Sequence, residues 1–374
     1  MMIKVDPTGT HQGLKNITNE FLEADQVKSL FILSCDANNF TPDTIDPLLK
    51  EIPIPLFGGI FPQIIHEKEK MDKGTIVVGI NSAMDTHIIP GLSDKDMDYE
   101  AMIDKEVPEI GTIQTIFVFV DGLAQRIGSF ISSLYNIFGA ELNYVGGGAG
   151  SLSMKQKPCL FTNDGLIKDS AVLAILNLKS GVGVSHGYSS VGGPFKATET
   201  EQNSVKSLDW RPALEVYKEF IQAHSRKVLN EETFFEIAPT YPFGITKMGT
   251  ERVVRDPVMM GENQSIICVG EVPQGSFLDI MEGDESSLIA AAGKALALSK
   301  EAFQRQKEKT LTIFMDCISR VLFLKTRFAE ELKSVYEDGQ PLVGACTIGE
   351  IAAGSGGYLE FHNKTAVVAT MEAK

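Results

Sequence analysis

Apolar and polar positions along the chain fall into a pattern that recurs three times. Each copy is an apolar strand ending in small or acidic residues, an amphipathic helix, a short strand breaking into glycines, and another apolar strand. The first copy opens with Leu30-Phe31-Ile32-Leu33-Ser34-Cys35-Asp36. Thr41-Pro42 supplies a cap with proline in the first helical turn. Ile45, Leu48, Leu49 and Ile52 follow at the i, i+3, i+4, i+7 spacing of a helix lying on a core. Pro55-Leu56-Phe57-Gly58-Gly59 and the strand around Ile76-Val77-Val78 complete the unit.

The second copy starts at Thr115-Ile116-Phe117-Val118-Phe119-Val120-Asp121-Gly122, and its helix carries Ile127, Phe130, Ile131, Leu134, Ile137 and Phe138 on one face. Tyr144-Val145-Gly146-Gly147-Gly148-Ala149-Gly150 and Ala171-Val172-Leu173-Ala174-Ile175-Leu176 close it. The third copy runs from Leu311-Thr312-Ile313-Phe314-Met315-Asp316-Cys317 through the stripe Phe328, Leu332, Val335. It ends with Pro341-Leu342-Val343-Gly344-Ala345-Cys346 and Thr365-Ala366-Val367-Val368-Ala369-Thr370. Near-continuous apolar strands alternating with helices predict mixed sheets covered by helices, an α/β fold.

Between the second and third copies the texture changes. His186-Gly187-Tyr188 leads to a turn at Gly192-Gly193-Pro194, then to a helix bearing Leu214, Tyr217 and Ile221. The polar stretch from Ser225 to Thr233 is the best linker, so the expected domains are 25–230 and 231–374. A second long helix from Glu285 to about Phe303 is rich in alanine, which predicts close packing.

The 374 residues suit about two domains. A net charge of −15, from 49 acidic and 34 basic residues, repels phosphate backbones and argues against nucleic-acid or anionic-membrane binding. The five cysteines (Cys35, Cys159, Cys268, Cys317, Cys346) are scattered and lack metal-ligand spacing. They fit a reducing compartment. The N-terminus has no signal-peptide pattern, and no apolar run reaches membrane-spanning length, so the expected location is the cytoplasm.

Several stretches together resemble the FIST sensory family. Tyr144 to Gly150, Asp164-Gly165, His186-Gly187 and the segment from Val205 to Tyr217 are similar to its N-terminal domain. Arg255, Val269-Gly270-Glu271-Val272-Pro273-Gln274-Gly275-Ser276, Asp316-Cys317-Ile318-Ser319-Arg320, Gly344 to Glu350 and Phe361 to Thr365 are similar to its C-terminal domain. The resemblance spans about residues 25 to 370. It implies a sensory pair of domains for a small ligand such as an amino acid, with haem-based nitric-oxide sensing in some relatives. It also implies a signalling partner such as a kinase, a cyclase or a chemotaxis-type receptor.

The candidate chemistry has plain alternatives. Gly147 and Gly148 sit in a run that can form a tight turn or a pocket wall. No helix opens after it as a dinucleotide fingerprint requires, and there is no Gly-Lys-Ser/Thr phosphate loop. Arg320 and Glu350 could grip the two ends of an amino acid or pair with each other. Cys317 and Cys346 lie beside them, and an enzyme using Cys317 or a carboxylate in the same cleft is the alternative reading. His186 could be an axial haem ligand or a hydrogen-bonding turn residue. Asp36, Asp121 and Asp316, near the ends of the three first strands, could bind a metal or an ammonium group, or cap turns.

Overall fold

The computed structural model describes residues 1–107, 114–247, 252–304, 309–353 and 357–373. The three sequence units become three six-stranded sheets with the same strand order. In each, the first apolar strand is central. Its helical crossover delivers a parallel neighbour, as such crossovers must, and the closing strand returns antiparallel on the other side. Ser29–Cys35 thus lies between Leu56–Phe61 and Thr75–Ile80. Thr115–Asp121 lies between Asn143–Ala149 and Ser170–Leu176, and Thr310–Cys317 between Leu342–Thr347 and Ala366–Glu372. All three central strands are buried along their whole length, which is why they read as unbroken apolar runs. One further strand borders each closing strand: Met2–Asp6, Met84–Pro90 and Ser180–Ser185.

The other edge of every sheet comes from a different unit. After Leu56–Phe61 the chain builds a hairpin, Gln63–His66 with Glu69–Met71, against Leu342–Thr347 of the third sheet. The hairpin Leu160–Thr162 with Gly165–Ile167, which follows the second unit's glycine strand, completes the first sheet. The hairpin Glu350–Ala353 with Leu359–His362 follows the third unit's glycine strand and completes the second sheet. The exchange is cyclic, and the three glycine strands touch one another at its centre. One core draws on all three sheets, with Phe31 stacked on Phe57 at 4.8 Å beside Phe117, Phe119, Met315 and Val367.

Gly58, Gly146 and Gly344 occupy one shared position, opposite Ile32, Val118 and Phe314. A Cβ on Gly146 would stand 1.9 Å from the Val118 carbonyl oxygen, and the other two glycines are equally crowded. This close approach explains why each unit's second strand breaks into glycine.

Residues 189–282 form a second body, an eight-stranded sheet with the helix Ala213–Ser225 over its own core. It is inserted between the second and third units, so the two bodies are not the two halves of the chain. Residue 230, the expected boundary, lies inside this second body, between the helices Ala213–Ser225 and Phe234–Ile237. The alanine-rich helix Glu285–Phe303 packs on Ser180–Ser185, where a Cβ on Gly183 would stand 1.9 Å from the Ala295 carbonyl oxygen. No helix among the described residues is long and apolar enough to cross a membrane.

Candidate functional site

Two places gather functional side chains: a buried polar network in the third unit and a cleft between the two bodies. The network centres on Arg320, one turn into the short helix after Thr310–Cys317 and inaccessible to solvent. Its five N–H donors are matched by five hydrogen bonds. Nε donates to Glu331 Oε1 at 3.0 Å, and Nη2 donates to the same oxygen and to the Leu288 carbonyl. Nη1 donates to the carbonyls of His186 and Lys364 at 2.9 and 3.1 Å. Asp316 Oδ1 lies 3.0 Å from Nε. The ion-pair partners of Arg320 are therefore Asp316 and Glu331, not Glu350.

Glu350 is held separately. Thr347 Oγ1 donates to Oε1 at 2.8 Å and the Thr365 amide donates to Oε2 at 3.3 Å. Burial pushes its carboxyl up to about 8 in spite of these donors. Cys317 is buried beside it. Burial first, then the neighbouring Glu350 charge, raises the thiol's pKa. Ser319 Oγ donates to its sulfur at 3.0 Å. A thiol kept protonated in this way is the opposite of an activated nucleophile. Cys346, inside Leu342–Thr347, is likewise raised by burial, and all five cysteines are free and buried.

Gly147 is opposite Glu350 in the ladder, and Gly148 exchanges backbone hydrogen bonds with Ile348 and Gly349 at 2.8 Å. Both seat the second sheet against the turn that enters the exchanged hairpin, so in this arrangement they pack backbone on backbone. His186 accepts the Tyr188 amide at Nδ1 (2.9 Å), and its carbonyl accepts from Arg320. It is buried and is not among the residues that line the cleft between the two bodies.

The three strand-end aspartates have structural partners. Asp36 accepts from Ser151 Oγ at 2.6 Å and pairs with Lys157. Asp121 accepts from Gln156 Nε2 and the Asp169 amide, both at 2.8 Å. The loop after Gly150 therefore straps the ends of the first two central strands together, while Asp316 faces Arg320. Glu331, absent from the sequence candidates, lies on the buried stripe at i+3 from Phe328. A carboxylate on an apolar stripe was the signal for it.

The cleft, of about 180 Å³, opens where the two bodies meet. The first body contributes the turn Gly122 to Gln125, the helix start at Ile127 and Gly128, and Phe361. The second contributes Gln202, Asn203, Val269, Gly270 and Glu271. Of the sequence candidates, Arg255 and Gly148 stand directly behind its walls. Arg255 Nε donates to the Glu271 carbonyl at 2.8 Å and Nη1 to the Phe361 carbonyl at 3.0 Å. A Cβ on Gly122 would stand 3.0 Å from Gly148 Cα. The Glu271 carboxylate abuts Gly128, where a Cβ would stand 2.7 Å from Oε2. Burial raises its pKa above the usual carboxylate range, with the Arg255 and Arg126 charges opposing the rise. No hydrogen bond among the described residues reaches this carboxylate. The helix Ile127–Phe138 starts without a side-chain cap, because Arg126 at the cap position has donors only; its guanidinium donates instead to the Asp94 and Lys95 carbonyls at 2.7 and 2.9 Å.

Two family models match the chain: the FIST N domain over residues 29–211 and the FIST C domain over residues 213–353. No curated protein matches it.

Proposed function

Because the chain belongs to the FIST family, whose domains are associated with small-ligand sensing in signal transduction, we propose that it takes a small polar metabolite into the cleft between its two bodies. The observation that carries this reading is Glu271, a half-buried carboxylate with no hydrogen-bond donor among the described residues, facing an uncapped helix start. A ligand ammonium group supplies the donors that Glu271 lacks. The first-turn N–H groups of Ile127–Phe138 favour a carboxylate. A free amino acid carries both groups. Its size also suits the space, since a cavity of roughly 150 Å³ takes benzene.

A ligand that touches both bodies favours one arrangement of them over others, which is the differential binding that a sensor requires. The output passes to a partner such as a kinase, a cyclase or a chemotaxis-type receptor. In this reading Arg255 acts as a buried brace behind the cleft.

A thermal-shift screen of the standard amino acids tests the proposal. A ligand present well above its Kd raises Tm. Glu271→Gln should remove that rise while leaving the Tm of the ligand-free protein within a few degrees of wild type. A screen with no stabilising amino acid, or a stabilising one indifferent to Glu271→Gln, would sink the proposal.

A further inference from the structure

The second body carries a second, larger groove, of about 630 Å³, lined along the strands of the hairpin whose turn reaches the cleft. Among its lining residues is Trp210, the chain's only tryptophan, 80% exposed. Leu208 pairs with Arg211, so Asp209 and Trp210 form a two-residue hairpin turn, with φ of +48° and +62°. Such turns favour Asn-Gly, and a bulky residue at positive φ is strained. The strain is held by the neighbouring strand. The Asp209 amide donates to the Lys196 carbonyl and the Lys196 amide to Asp209 Oδ1, both at 2.9 Å. The Trp210 amide donates to Thr198 Oγ1 at 3.0 Å. The backbone is fixed while the indole stands in water.

The groove beside it is acidic. Glu199, Glu201 and Glu262 line it together with Lys206 and Arg211. Both cations are already committed: Lys206 to Glu201 at 2.8 Å, and Arg211 to Glu215 and Glu219. The groove wall thus carries three carboxylates, two bases already engaged by carboxylates and one exposed aromatic face, with Glu215 and Glu219 adding negative charge from outside it. A planar guanidinium fits that chemistry, stacking on the indole while its N–H groups reach carboxylates. We propose that this groove docks an arginine-bearing segment of a partner protein. The proposal stands on Trp210 and the charges around it, independently of what occupies the cleft at Glu271.

Fluorescein-labelled hexa-arginine, added to the full chain at 0.15 M salt, is the probe. Binding should be saturable by anisotropy and should change the emission of the single tryptophan. Trp210→Gly keeps the backbone conformation and the net charge, and should weaken binding at least tenfold. The triple variant Glu199→Gln, Glu201→Gln, Glu262→Gln should do the same, whereas Glu23→Gln, Asp25→Asn, Glu51→Gln, elsewhere on the surface, should bind like wild type. Equal affinity for Trp210→Gly would mean general attraction to an acidic surface and overturn the proposal. So would the absence of saturable binding to wild type. A dimer that sedimentation shows to depend on Trp210 would assign the groove to a second copy of the chain and equally overturn it.

Discussion

Arg320 and Glu331 meet in the interior, with Nε donating to Oε1 at 3.0 Å and neither side chain exposed. Removing one partner strands the other's charge away from water. Arg320→Met would leave both Asp316 and Glu331 without a counter-charge, and should cost about 3–5 kcal/mol in urea unfolding. An unfolding midpoint equal to wild type would show that the guanidinium is dispensable to the fold.

Glu350 makes stability depend on pH. Burial raises its carboxyl from the ordinary 4.5 to about 8, so the folded protein keeps a proton that the unfolded chain releases. The stabilisation is complete below pH 4.5 and is lost as pH rises toward 8. Glu350→Gln cannot ionise and should lack this loss. His362, driven down to about 3 by burial, acts in the opposite sense: its contribution is present above 6.5 and lost as pH falls toward 3. The useful quantity is therefore the stability of wild type minus that of Glu350→Gln, which should decline from pH 5 to pH 8. Parallel curves would refute the assignment.

The shared glycine position gives a contrast within one protein. Gly146→Ala drives a Cβ onto the Val118 carbonyl, and should destabilise by about 3 kcal/mol or more. Gly293 lies within the helix Glu285–Phe303, where the nearest atom to a new Cβ is 3.6 Å away. Gly293→Ala should stabilise by about 0.5–1 kcal/mol through helix propensity. Thermal melts of the two variants should therefore move in opposite directions.

The cleft and the tryptophan groove share a hairpin. Gln202 and Asn203 line the first, Glu201 and Ser204 the second. Asn203 Nδ2 bonds to the Cys268 carbonyl at 2.9 Å, and the Val272 amide bonds to the Gln202 carbonyl at the same distance. A stabilising amino acid from the screen should therefore alter Trp210 emission, and Asn203→Ala should diminish that change. Unaltered emission at saturation would show that the two places are uncoupled.

Much of the fold was legible because its cause is local. Burial on both faces left Leu30 to Cys35 and its two counterparts apolar without alternation, and the carbonyls of Ile32, Val118 and Phe314 imposed glycine opposite them. The edge hairpins were not legible, because Val343 pairs with His66 and no periodicity reports a partner so distant. The three aspartates looked equivalent. Aligned on the glycine register, however, Asp36, Asp121 and Asp316 fall at three successive positions, so they do different work. Arg320 and Glu350 read as the two ends of one grip or as one ion pair, but a sequence does not say which carboxylate reaches which base, and Arg320 meets Asp316 and Glu331 instead. Trp210 was hidden for another reason: an aromatic beside Leu208 reads as core, and only the fold turns it outward.

The cyclic exchange has a consequence for how the molecule is made. The hairpin at 63–71 leaves the ribosome long before Leu342–Thr347, the strand it borders. At ordinary elongation rates the interval is on the order of 15–55 s. Throughout that time its pairing edge has no native partner, and the hairpin's Lys68 in the turn, Lys70 on its second strand and their flanking acids are of the kind that discourage foreign pairing. Completion comes only with the last strands, so a chain truncated between residues 318 and 341 keeps the third sheet's central strand but lacks both of its neighbours, and leaves the 63–71 hairpin without its partner.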